Sequence, residues 1–261
     1  MDEQDAELTA IRAEIAAHLA WESELGGMGL PRTVYMPVSS SAPTPTAMAA
    51  APIAKGPERD RDRDQAEPGL REVAYPDKRA HLTVLEAEVR ACTRCELYKG
   101  RTQTVFARGN PDAALVFVGE GPGQEEDRQG MPFVGPAGQL LDKMIAAMGL
   151  NPTEDVYICN VVKCRPPNNR TPVTSEAQAC ESYLTGQIDA VAPRLIVALG
   201  RCAAENMGLV PQGGGWRGRW GRYRGIEVMP TYHPAFLLRS PEFKRPVWED
   251  LQQVMAKLKA L

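Results

Sequence analysis

The sequence predicts an α/β domain: a mainly parallel sheet with helices on both faces. Three observations carry that prediction. Short apolar runs alternate with helical patterns from about Leu82 to the C-terminus, the order in which βαβ units are read. The runs are short and largely apolar, as expected of strands covered on both faces. The first of them, Leu115 to Val118, ends in the loop Gly119-Glu120-Gly121-Pro122-Gly123, and open α/β sheets bind ligands just beyond the carboxyl ends of their strands.

The chain of 261 residues divides into three parts. Residues 1–30 read as an acidic amphipathic helix, with Leu8, Ile11, Ile15 and Leu19 on one face and Gly26-Gly27 ending it. Residues 31–81 pass through SSSAPTPTAMAAAP and an alternating ERDRDRD run, a composition expected of a disordered linker. Residues 82–261 form the folded domain. Its first helix, with Val84, Leu85, Val89 and Ala91, delivers Cys92-Thr93-Arg94-Cys95. After the strand and glycine loop, a polar excursion returns through Pro132-Phe133-Val134-Gly135, which presents an exposed aromatic. Gly138 marks the start of a helix with apolar Leu140, Leu141, Met144, Ile145 and Met148. A second strand, Val156 to Val162, runs into the loop Cys164-Arg165-Pro166-Pro167-Asn168-Asn169-Arg170. A helix from about Ser175 to Ala190 contains Cys180. A third strand, Leu195 to Leu199, stops at Gly200. The fourth, Ile226 to Met229, leads to Thr231-Tyr232-His233-Pro234, and a helix over Val247 to Leu258 closes the domain.

Charge is unevenly spread around a formal net of −3. The first thirty residues carry seven acids against Arg12, whereas Gly200 to Arg245 carries eight bases against Glu205, Glu227 and Glu242. A local basic surface suits a substrate with a phosphate backbone. No N-terminal signal and no membrane-length apolar run is visible, so a cytoplasmic chain with reduced thiols is expected. The six cysteines then read as ligands or core residues and not as a disulfide framework. Cys92, Cys95, Cys164 and Cys180 make four thiolates from two chain regions. Their spacing alone leaves zinc, a [4Fe–4S] cluster and no metal all open. Cys159 and Cys202 read as small buried hydrophobes. The glycine loop lacks both GxGxxG and GxxxxGK[ST], which argues against a nucleotide-phosphate enzyme.

GEGPGQEEDRQGMPFVGPAG, NVVKCRPPNNR, YHPAFLLR and the four-cysteine layout together resemble the family 4 uracil-DNA glycosylases, the iron–sulfur branch of their superfamily. The resemblance covers Leu82 to the C-terminus. It implies a three-layer α/β/α sandwich with a central four-stranded, mainly parallel sheet. It also implies a [4Fe–4S] cluster on Cys92, Cys95, Cys164 and Cys180, in place of zinc, and hydrolysis of the N-glycosidic bond of deoxyuridine in DNA.

The resemblance assigns roles that the chemistry supports. A flipped-out uracil would stack on Phe133, exchange hydrogen bonds with Asn160, and meet backbone N–H groups near Gly121. Glu126 would shape the pocket near C5 of the base. Glu120 would stabilise the sugar cation and activate water, and His233 would donate toward the 2-carbonyl of the departing anion. Arg165, Asn169, Arg170 and Arg239 are expected at phosphates, with Leu237 or Leu238 as the wedge that fills the vacated stack. Uracil-containing DNA is the expected partner of a monomer associated with the nucleoid, and the N-terminal helix is a candidate contact for a repair or replication protein.

The rival is a uracil-DNA-binding module with a structural metal site, either non-catalytic or trapping its product. Product trapping in a related branch uses a histidine in an inserted loop. Here Arg165 to Pro172 has neither, which favours turnover. A carboxylate at Glu120 would also be an odd choice for a module that only binds DNA.

Overall fold

The computed structural model describes residues 77–210 and 215–261. The predicted N-terminal helix and nearly all of the linker therefore lie outside the described residues. The first helix, α1 (Lys78–Ala91), begins ahead of the expected Leu82 because Asp77 caps it, its carboxylate accepting the Ala80 N–H at 2.9 Å.

The sheet is built from β1 (Ala107–Gly109), β2 (Leu115–Gly119), β3 (Val156–Asn160), β4 (Leu195–Leu199), β5 (Gly221–Tyr223) and β6 (Ile226–Thr231). Their order is β1-β3-β2-β4-β6-β5. The central strands β3, β2, β4 and β6 are parallel, whereas β1 and β5 add antiparallel edges. The expected four-stranded sheet is thus the parallel centre of a six-stranded one. The edge strands Ala-Arg-Gly and Gly-Arg-Tyr are too short to carry a period of their own.

Helices α2 (Gln124–Gln129), α3 (Pro136–Ala147), α4 (Thr174–Val191), α5 (Arg201–Asn206), α6 (Pro234–Arg239) and α7 (Lys244–Ala260) complete the domain. The polar excursion after the glycine loop is therefore helical over α2. Alternate residues of each central strand feed two separate cores, as the two-residue period of a strand requires. Val116, Val118, Tyr157, Cys159, Ile196 and Ala198 pack with α1 and α4. Leu115, Phe117, Val156, Ile158, Leu195 and Val197 pack with α3 and α7 on the opposite face. This is the α/β/α sandwich.

The topology also places the site. From β2 the chain moves to β3 on one side, then returns to β4 on the other. The carboxyl end of β2 is therefore a topological switch point, where a crevice opens. Gly119 at that end is directly paired with Asn160 at the end of β3. Helix α3 is held tightly against the same edge: Gly138 lies so close to the Phe133 main chain that a Cβ would collide with its carbonyl group. We expect Gly138→Ala to cost about 2 kcal/mol, read as a lowered denaturant midpoint with an unchanged m-value.

Candidate active site

A cavity of about 550 Å³ opens at the carboxyl edge of the sheet. Glu120, Gly121, Glu126, Phe133, Asn160, Asn169, Arg170, His233 and Arg239 all border it. They come from the carboxyl end of β3 and from the segments that follow β2, β3 and β6, so the fold gathers them although the chain separates them widely.

Asn160 is almost wholly buried. Among the described residues its Oδ1 is a buried side-chain acceptor without a hydrogen-bond partner, a costly condition unless a bound group supplies a donor. Phe133 was expected to be exposed, but its ring is buried and its backbone is left-handed, φ 56°. Arg108 of β1 holds that turn, donating from Nε to the Pro132 carbonyl at 2.9 Å and from Nη2 to the Phe133 carbonyl at 3.4 Å. A Cβ on Gly119 would strike both Asn160 Oδ1 and the Phe133 ring, so only glycine allows the two groups to sit where they do.

His233 lies across from Phe133, with ring centroids 5.5 Å apart and planes 28° from parallel. Its Nδ1 accepts the Ala235 N–H at 3.1 Å, so in the neutral ring the proton sits on Nε2. Burial, aided by the positive charge of Arg239, lowers the imidazole pKa to about 4. At neutral pH the ring is an uncharged donor.

Burial raises the Glu120 carboxyl above the usual carboxylate range, partly offset by hydrogen bonds from the Thr171 hydroxyl and the Cys202 thiol. Sequence reasoning missed these two partners. Thr171 follows an otherwise legible loop, and Cys202, which is buried as expected, carries no local signal for its contact with Glu120.

Other expected site residues have partners within the fold or lie in the core. Glu126 borders the cavity, but its oxygens accept the N–H groups of Gly123 at 3.1 Å, Val134 at 3.0 Å and Gly135 at 2.8 Å. It ties the glycine loop to the start of α3, a strut that forms part of the cavity wall. Leu237 is fully buried in the core, whereas Leu238 is 47% exposed; of the two proposed wedges only Leu238 can reach a partner. The guanidinium of Arg170 is bound bidentately to Glu176, at 2.8 and 2.7 Å, while the residue also borders the cavity. Half-buried Arg165 donates to Asn169 Oδ1 at 2.7 Å, bracing a turn in which Asn168 and Asn169 adopt left-handed φ values of 54° and 55° that asparagine tolerates. Arg239 is exposed at the cavity rim.

Cys92, Cys95, Cys164 and Cys180 border a second, small cavity together with Arg101, Lys163 and Tyr183. Arg101 Nη1 donates to Cys164 Sγ at 3.2 Å, and the Arg94 N–H to Cys92 Sγ at 3.5 Å. Among the described residues no three His, Cys, Asp or Glu side chains are grouped so as to hold a single metal ion. No described helix is long and apolar enough to cross a membrane.

Residues 106–252 match the model of the uracil DNA glycosylase superfamily. The type-4 uracil-DNA glycosylase of Thermotoga maritima is 44% identical over 189 residues, covering 68% of this chain and 95% of that protein. That of Archaeoglobus fulgidus is 42% identical over 182 residues, 64% of this chain and 88% of its own. The Saccharolobus solfataricus protein of the same name is 43% identical over 188 residues, with shares of 68% and 87%.

The strut at Glu126 makes a prediction independent of activity. Glu126→Ala should lower stability by about 2 kcal/mol, since three backbone donors lose a charged acceptor. Chemical denaturation followed by circular dichroism would measure it.

Proposed function

The chain belongs to the uracil DNA glycosylase superfamily, and from that premise we propose that it removes uracil from DNA for base-excision repair, hydrolysing the N-glycosidic bond of a flipped-out deoxyuridine. One observation carries the reading at the level of residues. The unpaired, buried Oδ1 of Asn160 lies in the same cavity as an aromatic ring, a carboxylate and a neutral imidazole.

Uracil offers the N3–H that this oxygen needs, and its O4 can accept from the Asn160 amide. Cytosine reverses both groups and would leave the buried amide unsatisfied, the strongest form of rejection a polar pocket can make. Phe133 supplies the π-face on which the extruded base stacks.

As the C1′–N1 bond breaks, its electron pair passes to the base and the sugar becomes an oxocarbenium ion. His233 Nε2–H donates to O2, where the new negative charge collects, with its tautomer already set by the Ala235 N–H. A neutral donor at this point costs no proton and does not bind the substrate's phosphates indiscriminately. Glu120 opposes the positive charge on the sugar, orients the water that attacks C1′ and accepts its proton. Leu238 would fill the vacated position in the stack, with Arg239 and Arg165 at phosphates. The reducing, nucleoid-containing compartment suits both the substrate and the free thiols.

For the second cavity we propose a [4Fe–4S] cluster on Cys92, Cys95, Cys164 and Cys180. The support is that four thiols surround one space, the donor set that such a cluster takes. Cys92 and Cys95 after α1, Cys164 in the loop before α4 and Cys180 within α4 would hold it and so be tied together. Cys180→Ser should therefore lose the broad visible absorption and iron content of anaerobically purified protein, together with a lowered melting temperature.

The activity is tested with a uracil-containing oligonucleotide followed by alkaline strand cleavage. Wild type should cleave with turnover. Glu120→Gln and His233→Ala should each reduce the single-turnover rate by about 10²–10³. Stoichiometric capture of the product, or binding without cleavage, would overturn the reading.

The pH profile has a definite sign. The rate should fall on acidification through the raised pKa of Glu120, so this limb lies above that of an ordinary glutamate. His233, deprotonated above about pH 4, should add no limb near neutrality. A rate profile of wild type beside Glu120→Gln, in which the acid limb disappears, would check both statements.

A further inference from the structure

Between the two cavities lies a polar element that neither site has yet used. The Lys163 side chain is 1% exposed, although the residue also borders the thiol cavity. Its Nζ donates to the main-chain carbonyl of Asn160 at 2.5 Å and to Gln187 Oε1 at 2.5 Å. Gln187, itself wholly buried, donates onward from Nε2 to the Phe106 carbonyl at 3.1 Å and to Tyr157 Oη at 3.2 Å. The Lys163 carbonyl accepts the Val105 N–H at 2.8 Å. Every end of the network is therefore tied to a different segment.

The placement of its members is specific. Asn160 is the residue whose side chain borders the larger cavity. Lys163 immediately precedes Cys164, and Gln187 lies two turns along α4 from Cys180, on the same helix face. The bland reading is a lysine that merely satisfies core carbonyls. An apolar side chain would fill that volume without the desolvation a buried amine incurs. What the amine adds is direction, because it grips the peptide of the residue that recognises the base.

We propose that Lys163 is a positioning residue for base recognition, holding the Asn160 peptide from the segments that carry Cys164 and Cys180 and so aiming the Asn160 amide at the base. The inference rests on the uracil reading given above. It also assigns the thiol cavity a second consequence: order in the Cys164 and Cys180 segments is felt at the base pocket through two hydrogen bonds.

The test separates base contacts from backbone contacts. Two oligonucleotides of one sequence are used, one carrying 2′-fluoro-2′-deoxyuridine, whose glycosidic bond breaks slowly, the other a tetrahydrofuran abasic site. The ratio of their dissociation constants measures what the base contributes. Lys163→Met should reduce that ratio by about tenfold, the equivalent of one recognition hydrogen bond, with iron content and tetrahydrofuran-DNA affinity kept within about twofold. An unchanged ratio would overturn the proposal. So would an equal fall in affinity for both oligonucleotides, which is the mark of a merely structural lysine. Should Lys163→Met not fold, Gln187→Met, which leaves Nζ only the Asn160 carbonyl, is judged by the same ratio and the same two outcomes. If wild type itself shows no preference for the fluorinated uracil, the uracil reading fails and this proposal falls with it; a failure confined to the variants leaves that reading standing.

Discussion

Gly119 and Asn160 face one another across the β2–β3 pairing, and the space a side chain at Gly119 would need is filled by the Asn160 amide and the Phe133 ring. This steric constraint governs the whole cavity. It brings the hydrogen-bonding group and the stacking surface together at the end of β2, where the topology already opens a crevice. The left-handed turn at Phe133, the Arg108 bonds to the Pro132 and Phe133 carbonyls, and the close approach of α3 at Gly138 all hold the ring in that space. Glu126 then joins the glycine loop to the start of α3, so the wall of the cavity is one connected piece of backbone.

The electrostatics follow from the same packing. A carboxylate and an imidazole share one cavity without forming an ion pair, because burial acts on them in opposite senses: it makes the acid weaker and the imidazole harder to protonate. For the proposed reaction that division is useful. The group facing the developing anion donates a hydrogen bond without adding a full charge, and the group facing the developing cation keeps its negative charge. The polar partners of Glu120, Thr171 and Cys202, prevent burial from neutralising it too readily.

The central sheet was legible because strands covered on both faces leave largely apolar runs, as in β2, β3 and β4, which are buried throughout; β6, interrupted by Glu227 and only half-buried at its start, was legible from its place after the basic segment. Strands β1 and β5 were not, since their pairing is set by neighbours and not by any pattern of their own. The cavity residues were legible through the glycine loop and the strand ends. Which of Leu237 and Leu238 faces outward was not, because adjacent helical residues point about 100° apart and only the docking of α6 decides between them. The bidentate contact of Arg170 with Glu176 was not legible either, because it depends on how the loop docks on α4. Lys163 shows the same limit in reverse: within NVVKC it looks like a surface cation, and only the tertiary structure places it inside.

The two short antiparallel strands that flank the sheet have a consequence for the life of the folded chain. A parallel strand left at a margin would offer a long row of unpaired amides to any other extended chain. Here each margin ends in a three-residue segment, and the middle residue of the outermost one, Arg222, is charged and exposed. Such margins make poor templates for intermolecular β-pairing. The short margins thereby shield the parallel centre from pairing with other chains.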